Sequence, residues 1–66
     1  MAEFKDRLRG LRCERRMTQA EFADKVGVNK ATVRNWENGD NYPTLSMAVN
    51  LANVLGVSLD HLAGRS

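Results

Sequence analysis

Residues 19–38, QAEFADKVGVNKATVRNWEN, contain one glycine in a run of twenty residues otherwise compatible with helix. The meaning of that glycine decides the architecture. Just upstream, Thr18 stands three residues before Glu21, the T-x-x-E pattern in which the hydroxyl caps the Glu21 amide and the carboxylate reaches back to residue 18. A helix therefore begins at Gln19, with Phe22, Ala23 and Val26 on its apolar face. Gly27 closes it, because glycine enters the left-handed conformation at least cost. Beyond the glycine, Asn29 is a good N-cap for a further helix, with Val33 and Trp36 facing inward and Asn38-Gly39 marking its end.

Two helices joined by a three-to-four-residue turn containing glycine, and crossing steeply, form a helix-turn-helix unit, here about residues 18–38. Steep crossing requires a small residue where the axes approach, and Ala23, four residues before Gly27, supplies it. Working outward from this unit, Phe4, Leu8, Leu11 and Arg15 share one face of a first helix expected from about Glu3 to Arg16. On the other side, GDNYP is a turn. Thr44 then caps a fourth helix, expected to turn Leu45, Ala48, Val49, Ala52 and Leu55 inward, and Gly56 stops it. Ser58 caps a short fifth helix carrying Leu59 and Leu62, with Asp60 in its first turn, where a carboxylate suits the helix dipole. No β-branched run alternates with polar residues. The expected fold is all-α, five short helices in one domain spanning residues 1–66.

A chain of 66 residues buries only about 60% of the surface its unfolded form exposes, so one modest core is all it can build. The single cysteine, Cys13, excludes an internal disulfide and cannot alone hold zinc, which fits a reducing, intracellular setting. No stretch approaches eighteen apolar residues, and MAEFKDRLRGLR is too charged for a secretion signal. The expectation is a soluble, cytoplasmic protein without membrane partners. Its net charge of +2 is uneven: residues 1–34 hold nine Lys/Arg against five Asp/Glu, and residues 35–66 one against three. Such asymmetry fits a polyanion facing the first half, although a solvated helix face is the commoner meaning of such a run of arginines.

On the third helix, at about 100° per residue, Lys30, Ala31, Arg34, Asn35 and Asn38 fall within an arc of about 140°, opposite Val33, Trp36 and Glu37. An α-helix fits the major groove, and each outward residue has matching base chemistry. Arg34 or Lys30 donates to guanine O6 and N7, Asn35 pairs with adenine N6 and N7, and Ala31 sits against a thymine methyl. Gln19, at the start of its helix among free amides, is suited to a phosphate, and Asn29, Thr32 and Asn38 flank the arc in positions to do the same. Plain capping also accounts for Gln19 and Asn29, and the two roles are compatible. Arg12 lies beside the apolar face of the first helix and Glu37 faces inward on the third.

The spacing Gln19, Ala23, Gly27, Val33, Trp36 resembles the Cro and phage-repressor type of helix-turn-helix proteins, the xenobiotic-response-element-like family. WENGDNYPT resembles the family's E-x-G-x-x-x-P segment and LANVLGVSLDHL its last two helices, so the likeness covers roughly residues 4–63. It implies a lambda-repressor-like domain, DNA contacts at Gln19, Lys30, Ala31, Arg34 and Asn35, and a structural ion pair between Arg12 and Glu37.

These observations point to a sequence-specific regulator of transcription, most simply a repressor, occupying a palindromic double-stranded DNA operator. One recognition helix reads few base pairs, so a homodimer on half-sites about 34 Å apart is expected. Val57, Leu59 and Leu62, with the Leu45–Met47 edge, are the candidate contacts. The competing reading is a protein-interaction module, such as the antitoxin of a toxin pair, for which a large exposed apolar patch on the last helices is the signature. His61 and Cys13 lie far apart with no paired base, nucleophile or ligand set, so neither catalysis nor a metal or other cofactor is expected, nor a small-molecule effector. Cys13 falls opposite the apolar face and His61 reads as a surface residue. Trp36 is expected in the core and Tyr42 against the fourth helix.

Overall fold

Each helix begins and ends for a local reason. A computed structural model of the chain describes residues 3–64. Its helices are α1 (Phe4–Glu14), α2 (Gln19–Val26), α3 (Lys30–Asn38), α4 (Leu45–Leu55) and α5 (Leu59–Ala63), and there is no strand among the described residues. The Thr18 hydroxyl accepts from the Glu21 amide at 3.0 Å, and the Glu21 carboxylate accepts from the Thr18 amide at 2.8 Å, closing a capping box at α2. Donation from the Thr18 amide, ahead of its hydroxyl, holds the Glu21 carboxyl below its ordinary value of 4.5. A carboxyl depressed by folding contributes stability above its unfolded pKa, and that contribution is lost as pH falls through the folded value. Asn29, Thr44 and Ser58 cap α3, α4 and α5 by accepting from the third residue on.

At their C-termini α2 to α5 all stop at a left-handed glycine. Gly27 matters most: at φ 90° its amide donates to Ala23 O at 2.8 Å, and the next amide, of Val28, donates to the same carbonyl at 3.0 Å. That pair of bonds turns the chain out of α2 in two residues. Ala23, the small residue on the inner face of α2, is 1% exposed and part of the core. The first helix behaves differently. It ends at Glu14, two residues short of the expected Arg16, because Arg15 leaves the helical region and Arg16 itself takes the left-handed conformation at φ 56°. Arg15, expected on the inner face, is exposed. Its guanidinium donates to Leu11 O at 2.8 Å, satisfying a carbonyl that the helix end leaves free.

The core draws on every helix: Leu8 and Leu11 from α1, Phe22, Ala23 and Val26 from α2, Val33 and Trp36 from α3, Leu51, Ala52 and Leu55 from α4, and Leu62 from α5. Two expectations about the last helices require correction. Leu45 and Val49 are 72% and 43% exposed, whereas Leu51, which the periodicity passed over, is fully buried. The helix LSMAVNLANVL is apolar on nearly every face, so its pattern does not select a stripe. Packing against the other helices selects it, burying Leu51, Ala52 and Leu55, and in this rotation the Asn50 Nδ2 donates to Val26 O at the end of α2, at 2.9 Å. Leu62, a candidate for contact with a second copy, is 0% exposed within its own subunit and so has no surface to offer. Tyr42, expected on α4, instead has its ring 5.9 Å from that of Phe4 on α1.

Gly10, in the middle of α1, has a helical backbone and nothing within 4 Å of where a Cβ would stand. It therefore carries the entropic penalty of a helical glycine with no steric gain. Gly10→Ala is expected to raise the free energy of unfolding by about 0.5 to 1 kcal/mol, read from urea midpoints at an unchanged slope. An unchanged or lowered midpoint would show that the glycine has a structural purpose.

Candidate nucleic-acid interface

The inward side of α3 anchors it. Val33 is 0% exposed, Trp36 5% and Glu37 9%, so the helix cannot rotate without exposing its apolar stripe. Held in this way, α3 turns Lys30, Ala31, Arg34 and Asn38 outward as exposed residues, with Asn35 half-buried at the edge. Neither Lys30 nor Arg34 is in an ion pair among the described residues, and the side-chain amides of Asn35 and Asn38 make no hydrogen bond there. The outer surface of α3 is therefore cationic, donor-rich and uncommitted.

At the start of α3 the hydrogen bonds discriminate between candidates. Asn29 Oδ1 accepts from the Thr32 amide at 2.9 Å and stands 3.0 Å from Thr32 Oγ1. An amide N–H only donates, so the atom facing it is the Asn29 oxygen, and the Thr32 hydroxyl must then supply the hydrogen of the second bond. In this arrangement the Thr32 hydroxyl is engaged by Asn29, and donating to a phosphate requires it to rotate, which leaves the Thr32 amide still bonded to Asn29 Oδ1. Asn29 has its oxygen spent on the cap, and its Nδ2 makes no hydrogen bond among the described residues.

Behind α3 lies a buried ionic cluster. Arg12 Nε donates to Glu37 Oε2 at 2.7 Å and its Nη2 to Glu37 Oε1 at 2.9 Å, a bidentate pair, while Nη1 donates to Met17 O at 2.7 Å. The side chains are 11% and 3% exposed. Hydrogen bonding to Glu37 raises the Arg12 pKa, against the opposing effect of burial, so the guanidinium stays charged. Gln19 joins the cluster, its Nε2 donating to Glu37 Oε1 at 3.1 Å. These side chains tie together α1, the start of α2 and the end of α3.

Together with Asn38, the cluster lines a shallow polar cleft whose remaining wall is Arg9. Sequence reading passed over Arg9. The signal was its place one turn before Arg12 on α1, but a helix with several arginines does not itself indicate which one faces the cleft. Of the candidate dimer contacts, Val57 and Leu59 are half-buried and so keep part of their surface.

An all-α domain in which a tight turn at Gly27 and a buried inner stripe hold one cationic helix at the surface defines a helix-turn-helix protein of compact type. Residues 8–62 match the helix-turn-helix family model, and the chain belongs to that family, in its Cro and phage-repressor branch. It is 35% identical over 63 residues to the cryptic phage CTXphi transcriptional repressor RstR of Vibrio cholerae serotype O1, covering 96% of this chain and 56% of that protein. Among solved structures, the DNA-binding domain of the P22 c2 repressor superposes with a TM-score of 0.88 at 26% identity, covering 92% of this chain and 80% of that one. The P22 c2 repressor protein in complex with a synthetic operator shares the fold, with a TM-score of 0.92 at 24% identity over the full length of both chains. The chain spans about half the length of the curated relatives RstR and YqaE of Bacillus subtilis.

Proposed function

We propose that the protein is a sequence-specific double-stranded DNA-binding regulator, acting as a repressor in the cytoplasm by occupying a palindromic operator as a homodimer. The observation that carries this reading is the outer surface of α3, where Lys30, Ala31 and Arg34 stand clear of a core that immobilises Val33 and Trp36 beneath them. In this reading α3 enters the major groove. Arg34 or Lys30 donates to guanine, Asn35 pairs with adenine and Ala31 meets a thymine methyl. Gln19, Asn29, Thr32 and Asn38 donate to phosphates and set the register. The likeness to the P22 c2 DNA-binding domain and to the RstR repressor supports the same assignment.

The dimer is argued from the recognition helix: α3 alone reads few base pairs, and two such helices on half-sites roughly 34 Å apart require two copies. Val57 and Leu59, with the Leu45–Met47 edge, are the contacts proposed for them. An antitoxin-like module remains less well supported. Among the described residues the large exposed apolar side chains are Tyr42, Leu45 and Val49, so the last helices offer two such residues on α4 and none on α5, where a large continuous patch is the signature.

Selection of bound duplexes from a random library tests the proposal, with a palindrome whose half-sites lie about one helical turn apart as the expected outcome. On the selected site, Arg34→Ala is expected to weaken binding by about 1 to 3 kcal/mol while barely altering affinity for random duplex. Recovery of no preferred sequence, or an equal loss on both duplexes, would remove the base-reading role.

A further inference from the structure

We propose that Glu37 is a positioning residue for Gln19: locked by Arg12, its carboxylate holds the Gln19 amide in the orientation that presents an N–H to a phosphodiester oxygen. The inference rests on the DNA-binding reading above and gives a buried charge a part in it. An ionised carboxylate only accepts, so the Gln19 atom 3.1 Å from Glu37 Oε1 must be the nitrogen. The flipped amide would set two oxygens against each other. One N–H of Gln19 is thereby engaged, and the second has no partner among the described residues. It sits at the first residue of α2, beside the cleft lined by Arg9, Arg12 and Asn38, where the helix dipole favours an anion.

Without the anchor, a glutamine on this surface would sample many rotamers and both amide orientations, and would lose that freedom on every encounter with DNA. Glu37 removes the freedom in advance. A bare carboxylate so near a phosphate would repel it. Arg12 answers this with two bonds, at 2.7 and 2.9 Å, that neutralise the charge and fix the carboxylate plane.

The test is a double-mutant cycle on duplex affinity. Gln19→Ala in the wild-type protein is expected to weaken binding roughly tenfold per half-site, as befits one hydrogen bond to a charged group from each subunit. The second background is Arg12→Met/Glu37→Met, since replacing a buried ion pair by apolar residues of similar size commonly preserves folding. There, Gln19→Ala should change affinity less than about twofold. Equal losses in the two backgrounds would overturn the proposal, because a purely structural ion pair leaves the Gln19 contribution intact.

Should that background fail to fold, 15N relaxation of the Gln19 side-chain amide in the unbound wild-type protein decides. Order close to that of the α2 backbone supports the proposal, and free averaging overturns it. Wild-type protein that binds no duplex would instead overturn the DNA-binding reading, and this inference with it, while the amide order remained measurable.

Discussion

Glu37→Ala is expected to lower the free energy of unfolding by about 3 to 5 kcal/mol, the loss typical when one member of a buried ion pair is deleted. The Glu37 side chain is 3% exposed and that of Arg12 11%, so Arg12 would keep its charge in a site with little water. Two of its three hydrogen bonds in the cluster would vanish, leaving only that to Met17 O. For a domain of this size the whole stability is about 3 to 10 kcal/mol, so the loss is a large fraction of it and unfolds the variant outright at the lower end of that range. Arg12→Met/Glu37→Met should lose far less, since no orphan charge remains. Chemical denaturation of the three proteins checks both statements. A loss of less than about 1 kcal/mol for Glu37→Ala would mean that water solvates the pair as it does surface pairs.

Leu51→Ala should cost about 2 to 5 kcal/mol, the range for truncating a fully buried leucine, with the larger figure if the core cannot close over the void. Leu45→Ala, on the same helix, should fall within about 0.5 kcal/mol of the wild type. The contrast follows from burial: Leu51 is 0% exposed and Leu45 72%. Similar losses for Leu51→Ala and Leu45→Ala, measured by urea unfolding, would show that α4 sits in a different rotation.

The candidate interface was legible in the sequence to the extent that it depended on a single helix. Lys30, Ala31 and Arg34 are outward because Val33 and Trp36 are inward, and a period of 3.6 residues relates the two sets directly. Arg9 and the engagement of Gln19 by Glu37 were not legible. They depend on how α1 lies across the ends of α2 and α3, and nothing within the chain pattern of any one helix encodes that crossing. The commitment of the Thr32 hydroxyl to Asn29 lies between these cases. Both residues belong to one cap, but only the 3.0 Å separation reveals where the hydrogen goes.

The same division runs through the fold. Thr18, Asn29, Thr44 and Ser58 placed four helix starts, and glycines at 27, 39 and 56 placed three ends, because capping is a contest among atoms within a few residues of one another. Where local chemistry is silent, reading failed: at Arg16, which adopts a conformation the other helix ends reserve for glycine, and along α4, whose apolar residues surround it. By itself the sequence determined five helices, the turn at Gly27 and the polar surface of α3. Only the tertiary structure decided which side of α4 is buried, that Leu62 is unavailable to a second copy, and that Arg12, Gln19 and Glu37 meet. Those outcomes depend on contacts between segments distant along the chain, where the packing of whole helices, and not the preference of any residue, sets the minimum of free energy.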